Sequence, residues 1–178
     1  MPKLEWLVLE NFHSGGGVKS DDLRVLFQNG ASPLLGLSLI PSEGSGLTHK
    51  YFLHVLELQH IKHLGLAFDQ FYWIVPDPRQ DKLKSLRSLH VDYINTAWMS
   101  QLTTWCENLQ RIEIQTVDMD GMTRNASMLA TLALCSNLEE LKLGGGQPRD
   151  DTVASLLAFA KSTPKLRMLD IRDGYAEN

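Results

Sequence analysis

Aliphatic residues recur along this chain in a six-residue motif, with apolar side chains at its first, fourth and sixth positions. Successive side chains of a β-strand point to opposite faces, so positions four and six lie on one face and positions three and five on the other. We interpret each copy of this leucine motif as a short strand that is buried on one face. The seven copies are Leu4/Leu7/Leu9, Leu34/Leu37/Leu39, Ile61/Leu64/Leu66, Leu86/Leu89/Val91, Leu109/Ile112/Ile114, Leu138/Leu141/Leu143 and Leu166/Leu169/Ile171.

The copies follow one another at a nearly regular interval. Their first positions are separated by 30, 27, 25, 23, 29 and 28 residues, a mean of 27. A hydrophobic motif with such a period indicates stacked structural units, each of which covers the apolar face of its neighbour.

Helix signals lie between successive motifs, where N-capping residues precede apolar residues at helical spacing. The third interval is different, because Pro76 and Pro78 are incompatible with a normal helix. The nearby aromatic residues Phe71–Trp73 either form a protruding contact loop or pack on the helical side. Helices are predicted from Ser20 or Asp21, Thr48, Asn95 or Thr96, around Met128–Leu132, and from Asp150 or Asp151. The last is expected to bury Val153, Leu156, Leu157 and Ala160.

Strands and helices that alternate through short connections favour parallel pairing with right-handed crossovers. The sequence therefore predicts an α/β fold and one domain over residues 1–178. This domain is expected to be a solenoid, with about seven parallel strands on its concave side and helices on its convex side.

The repeated strand motif resembles the leucine-rich repeats. Cys106 and Cys135 each stand three residues before a motif leucine, which makes the chain most similar to the repeat region of F-box/leucine-rich-repeat proteins. The resemblance implies a ribonuclease-inhibitor-like horseshoe, which binds the substrate protein of an F-box-like ubiquitin-ligase adaptor. A stand-alone horseshoe that inhibits or scaffolds a partner by occlusion is the alternative.

The first motif begins at Leu4 without a capping unit, and no F-box pattern precedes it. A solenoid end normally needs a polar cap over its core and its strand edge. We therefore expect the chain to be a fragment of a longer protein, in which an F-box or further repeats come first. Alternatively, an oligomer or a partner covers this end.

Charge and composition narrow the class of partner. The formal net charge is −4, and no run of five like charges occurs, so the clustered basic face of a nucleic-acid-binding protein is not expected. No stretch has the apolar length of a membrane span, and no secretory signal is recognised. We expect a protein partner of unknown identity and a cytoplasmic or nuclear location. Both cysteines are expected to be reduced there, and a disulfide between them is the alternative.

Catalytic and cofactor motifs are not supported. Gly15–Gly17 lies between a predicted strand and helix, but Val18 stands where a phosphate loop needs glycine before Lys19. The six histidines do not have zinc-ligand spacing. His63 and His90 are candidates for a metal pair, and solvent-facing imidazoles are the alternative. We therefore expect no catalytic residue, no cofactor and no metal.

Binding is expected on the concave side, where positions three and five of each motif project. The amino-terminal half of this side is apolar with small gaps, and we expect Trp6 to anchor a partner there. Contact with missing amino-terminal repeats would explain the same pattern. The carboxy-terminal half alternates in charge sign, which predicts ion pairs between adjacent strands. The candidate partner-binding residues are Trp6, Val8, Ile40, His63, His90, Arg111 and Lys142.

Overall fold

The structure of the chain is a computed structural model. It describes residues 4–12, 21–22, 24–25, 34–42, 54–55, 58, 60–67, 83–94, 107–117, 129–144 and 150–172. Within these ranges the elements are β1 (Trp6–Phe12), β2 (Gly36–Pro41), β3 (His63–Leu66), β4 (Ser88–Ile94), β5 (Arg111–Val117), β6 (Glu140–Leu143), α1 (Asp150–Ser162) and β7 (Met168–Ile171). Residues 21–22, 24–25, 54–55 and 129–132 are also helical.

The seven strands form one sheet, and every neighbouring pair is parallel. Their order in the sheet is their order in the chain, from β1 to β7. Each strand therefore pairs with the strands that precede and follow it, as the alternation of strand and helix signals predicts. The α/β class and the parallel sheet are confirmed.

The leucine motifs stand in register across the sheet. Position four of each motif pairs with position four of the next, beginning with Leu7 opposite Leu37 and ending with Leu141 opposite Leu169. Because the register is unbroken at these positions, all the motif leucines lie on one face of the sheet, which we call the leucine face.

One hydrogen-bonding arrangement recurs at all six strand pairs. The carbonyl at motif position two accepts from the N–H groups at positions two and three of the next strand, with N···O distances of 2.8–3.1 Å. The series begins at Glu5, whose carbonyl binds the N–H groups of Leu35 and Gly36. The amino ends of the strands therefore repeat a single backbone geometry.

The chain also enters the strands through a recurring turn. The N–H at motif position one donates to the carbonyl three residues earlier at four places, with distances of 2.9–3.3 Å. Two asparagines directly before a motif add side-chain bonds between units. Asn108 donates to the carbonyl of Lys84 at 2.9 Å, and Asn137 donates to the carbonyl of Glu107 at 3.0 Å.

The core lies between the leucine face and the helical residues. Val55, Leu129, Leu132 and Phe159 belong to the same buried cluster as the leucines of the central strands. Leu129 and Leu132 are buried within the helix predicted around Met128–Leu132, and α1 begins at Asp150 as predicted. Helices and leucines therefore share one side of the sheet.

The apolar face predicted for α1 is partly wrong. Leu156 packs against the core, but Leu157 is 60% exposed and Ala160 is also exposed. The helix instead turns Phe159 inward, and the buried Thr163 hydroxyl donates to the Phe159 carbonyl at 2.8 Å. Burial of the large Phe159 ring rotates the helix away from the spacing that the smaller residues suggest.

Several predictions fall outside the described residues. They concern the helix after Asn95 or Thr96, the aromatic segment Phe71–Trp73, the loop Gly15–Gly17 and Cys106.

Candidate protein interaction surface

The sheet face opposite the leucines, which we call the open face, carries motif positions three and five. Strand register aligns these positions in two rows that cross all seven strands. The helical residues of the core cluster pack on the other side. The first row is Trp6, Gly36, His63, Ser88, Arg111, Glu140 and Met168; the second is Val8, Ser38, Gly65, His90, Glu113, Lys142 and Asp170.

An aromatic pair spans the first three strands. The Trp6 indole lies over Gly36, where an added Cβ atom would overlap the ring. Beyond Gly36 the indole stacks on His63, with ring centroids 4.9 Å apart and an angle of 25° between the planes. Glycine on the middle strand therefore lets a side chain of β1 reach β3, while Trp6 stays 55% exposed.

A strip of small residues lies beside this aromatic pair. Ser38 and Gly65 occupy the second row on β2 and β3, and the Ser38 hydroxyl leans over Gly65, 2.9 Å from where a Cβ atom would stand. Val8 borders the strip on one side, and His90 follows Gly65 on the other. Val8 and Ile40 are exposed, at 54% and 38%. The amino-terminal half of the open face is therefore apolar, with gaps at its small residues, as the sequence predicts.

Cross-strand ion pairs occupy the carboxy-terminal half. Lys142 Nζ lies 3.2 Å from Glu113 Oε2, and Arg111 Nε lies 3.4 Å from Glu140 Oε1. Both pairs join adjacent strands, so these two pairs of the predicted ladder are confirmed. Each pair is partly exposed to water and stabilises the fold by only about 0–1 kcal/mol.

His90 belongs to this polar half. Its Nδ1 lies 3.7 Å from Glu113 Oε1, its Nε2 lies 3.5 Å from Asp92 Oδ1, and Nε2 also lies 3.2 Å from Gln115 Nε2. His63 stands opposite Ser88 in the register, so the two histidines occupy different rows. In the described part of the chain, no group of three or more His, Cys, Asp or Glu residues has metal-binding geometry.

Positive charge surrounds His63. Partial burial lowers the pKa of this imidazole below its ordinary value of 6.5, and the nearby cations Arg111, Lys62 and Arg87 lower the pKa further. Lys62 and Arg87 occupy motif position two, directly before β3 and β4. Neither is among the residues predicted to bind a partner, because that prediction rests on positions three and five.

Asp170 pairs along its own strand end instead of across the sheet. Arg172 Nη2 lies 2.7 Å from Asp170 Oδ2, and Arg172 Nε also donates to this oxygen at 2.9 Å. These hydrogen bonds from Arg172 hold the pKa of the Asp170 carboxyl below its ordinary value. A cross-strand pair of Asp170 with Lys142 was also expected from the alternating charges, and Asp170 is instead bound by Arg172.

Cys135 is a free, buried thiol on the leucine side, and burial raises its pKa to about 11. Because Cys106 lies outside the described residues, the reduced state of the two cysteines stays a prediction. A thiol so buried and so weakly acidic is a packing residue and a poor nucleophile.

All seven predicted partner-binding residues lie on the open face, in two groups. Trp6, Val8, Ile40 and His63 form the apolar group, and His90, Arg111 and Lys142 belong to the ion-paired group.

Two further findings concern the similarity to known proteins and the length of the helices. No protein-family model matches this chain, and no curated protein matches it. Over the ranges that the structure describes, no helix is both long and apolar enough to cross a lipid bilayer.

Proposed function

We propose that this chain is a protein-interaction module of the leucine-rich-repeat type, which binds a partner protein on the open face of its sheet. The observation that carries the proposal is the contrast between the two faces. One face carries the leucine core, against which the described helical residues pack, and the other presents Trp6, Val8 and Ile40 to solvent. Exposed apolar side chains grouped in this way are typical of binding surfaces.

The repeated backbone geometry supports the solenoid part of the proposal. At all six strand pairs, the carbonyl at motif position two accepts from two N–H groups of the next strand, and the same turn precedes four of the motifs. Strand order equals chain order, as expected when each unit packs only on its neighbours. Wider spacing of the helices than of the strands would then curve the molecule into a horseshoe, with the open face on the inside.

The chemistry of the open face favours binding over catalysis. Its charged groups pair across or along the strands, and His63 is stacked on Trp6. Among the described side chains, no nucleophile with an adjacent base is found. We propose that the module acts in the cytoplasm or nucleus and holds the substrate protein of an F-box-like ubiquitin-ligase adaptor. The adaptor role concerns a parent protein that also carries an F-box.

The test is partner capture by purified wild-type protein and by a Trp6→Ala variant, with proximity labelling and mass spectrometry to identify what is bound. We expect Trp6→Ala to reduce capture at least several-fold, because an exposed aromatic anchor contributes strongly to an interface. Its melting temperature should change little, since more than half of the Trp6 side chain is already exposed.

Leu134→Ala is the matched control, because Leu134 is also a large exposed apolar residue, at 70%, and it follows the helical residues 129–132 on the leucine side. This variant should capture the partner as wild type does. Equal capture by the Trp6→Ala and wild-type proteins would exclude the apolar group as the binding surface.

A further inference from the structure

Three cations lie at the amino ends of the central strands. Lys62 and Arg87 directly precede β3 and β4, where the Arg87 N–H donates to the Lys62 carbonyl, and Arg111 is the first residue of β5. All three act electrostatically on His63, which lies on the open face. Arg111 has a partner in Glu140, 3.4 Å away. Within the described ranges, no acidic side chain forms an ion pair with Lys62 or Arg87. Among the described side chains, two of the three cations therefore have no acidic partner.

This cluster adjoins the exposed aromatic group. His63 is at once the stacking partner of Trp6 and the neighbour of the three cations, so one surface offers an apolar contact and a positive potential side by side. A ligand that matches both features must combine an apolar group with anionic groups.

The acidic residues on the rest of the open face limit the length of an anionic ligand that this face can bind. Glu113, Glu140 and Asp170 occupy the same rows on β5, β6 and β7, and Asp92 lies beside His90. A nucleic acid that continued across the sheet would place its phosphates against these carboxylates. The charge pattern therefore suits a short acidic segment, and it disfavours a continuous polyanion.

We propose that the open face binds an extended acidic peptide segment of a partner protein, with an apolar side chain on Trp6 and carboxylates at Lys62 and Arg87. This inference rests on the proposed function, since it specifies the partner that the same surface receives. Strands in a sheet are about 4.8 Å apart, so β1 and β4 are separated by about 14 Å. An extended peptide covers that distance in about four residues. The expected ligand therefore carries Asp or Glu about three to five positions from an aromatic or branched apolar residue.

The experiment is selection of binders from a phage-displayed library of random twelve-residue peptides on the purified full chain. A second selection uses the double variant Lys62→Glu/Arg87→Glu, and a third uses Arg167→Glu. Arg167 is the matched control, because it is exposed and occupies motif position two on β7, away from the cation cluster. Circular dichroism establishes that all three proteins fold. The enriched peptide is then synthesised, and its affinity is measured by fluorescence polarisation.

We expect the wild-type and Arg167→Glu proteins to enrich acidic peptides with the predicted spacing. The double variant should bind the synthesised peptide at least tenfold more weakly, and higher salt should weaken binding to wild type. Acidic residues absent from the selected peptides would overturn this inference, as would equal affinity in the double variant. Tighter binding of single-stranded oligouridine than of the peptide would also overturn it.

The selection separates this inference from the proposed function. Peptides that lack acidic residues but lose affinity for the Trp6→Ala protein would contradict the acidic ligand and retain the interaction surface. If no peptide is selected, the inference is wrong, and the capture experiment with Trp6→Ala decides the proposed function independently.

Discussion

At the scale of single residues, Trp6 reaches across a whole strand because the residue beneath its indole has no side chain. Any Cβ atom at position 36 would overlap the ring, so Gly36 allows Trp6 to stack on His63. The row Trp6, Gly36, His63 is readable from the motif alignment, since a glycine between two aromatic rings is a gap that either ring can fill. The stacked arrangement itself depends on side-chain rotamers, which no pattern of residue types specifies.

The pKa of His63 predicts how stability depends on pH. Burial and the cations Arg111, Lys62 and Arg87 lower this pKa below 6.5, so the folded protein favours the neutral imidazole. The resulting contribution to stability is complete above pH 6.5 and is lost as the pH falls through the lowered folded pKa. We expect the free energy of unfolding of wild type to fall more steeply on acidification than that of His63→Asn, measured by urea denaturation between about pH 5 and 8.

An NMR titration of the His63 ring checks the cause. Arg111→Gln should raise the pKa of His63 toward 6.5, because a cation is removed from its surroundings. Arg167→Gln should leave it unchanged, since Arg167 is not among the groups that act on His63. Identical pKa values in all three proteins, or parallel stability curves for wild type and His63→Asn, would contradict this electrostatic account.

At the scale of elements, the leucine face contributes most of the stability that can be assigned to single side chains. Leu141 on β6 is fully buried in the cluster that joins the sheet to the helices. Leu141→Ala removes this packing and leaves a cavity, so we expect a loss of about 2–5 kcal/mol in the free energy of unfolding. Chemical denaturation with a constant m-value measures it.

Leu157→Ala on α1 is the matched control, because the same atoms are removed from a side chain that is 60% exposed. Its effect should be within about 0.5 kcal/mol, as for other surface substitutions. Comparable losses in both variants would mean that Leu157 is buried and that the orientation of α1 described above is wrong.

The orientation of α1 shows where sequence reasoning loses precision. The positions of strands and their register follow from a motif whose period is two, and a shift of one residue would expose every leucine at once. A helix has no such restriction, because a rotation of one position exchanges one set of apolar residues for another. Leu157 and Ala160 fit the expected spacing as well as Phe159 does, and the larger ring takes the interior.

The hydrophobic pattern also did not predict the side-chain hydrogen bonds between neighbouring units. The side chains of Asn108 and Asn137 donate to carbonyls of the preceding unit, and Lys165 Nζ donates to Asn137 Oδ1 at 2.6 Å. The signal that could have found them is their shared place, directly before a leucine motif. The cations Lys62 and Arg87 share a motif position in the same way, and they were missed for the same reason.

At the scale of the whole molecule, we propose that the two faces of one sheet separate stability from binding. The leucine face is continuous from β2 to β6, so substitutions there weaken the fold. The open face carries paired charges at one end and exposed apolar groups at the other. Under the proposed function, substitutions at motif positions three and five should change the partner while the core stays the same.

Site-specific photo-crosslinking tests this separation most directly. The photoreactive amino acid p-benzoylphenylalanine is placed at Ser88, in the middle of the open face, or at Leu157, on the outer side of α1. We predict that the captured partner crosslinks to the protein labelled at position 88 and not to the one labelled at position 157. Crosslinking from position 157 with none from position 88 would contradict the assignment of binding to the open face.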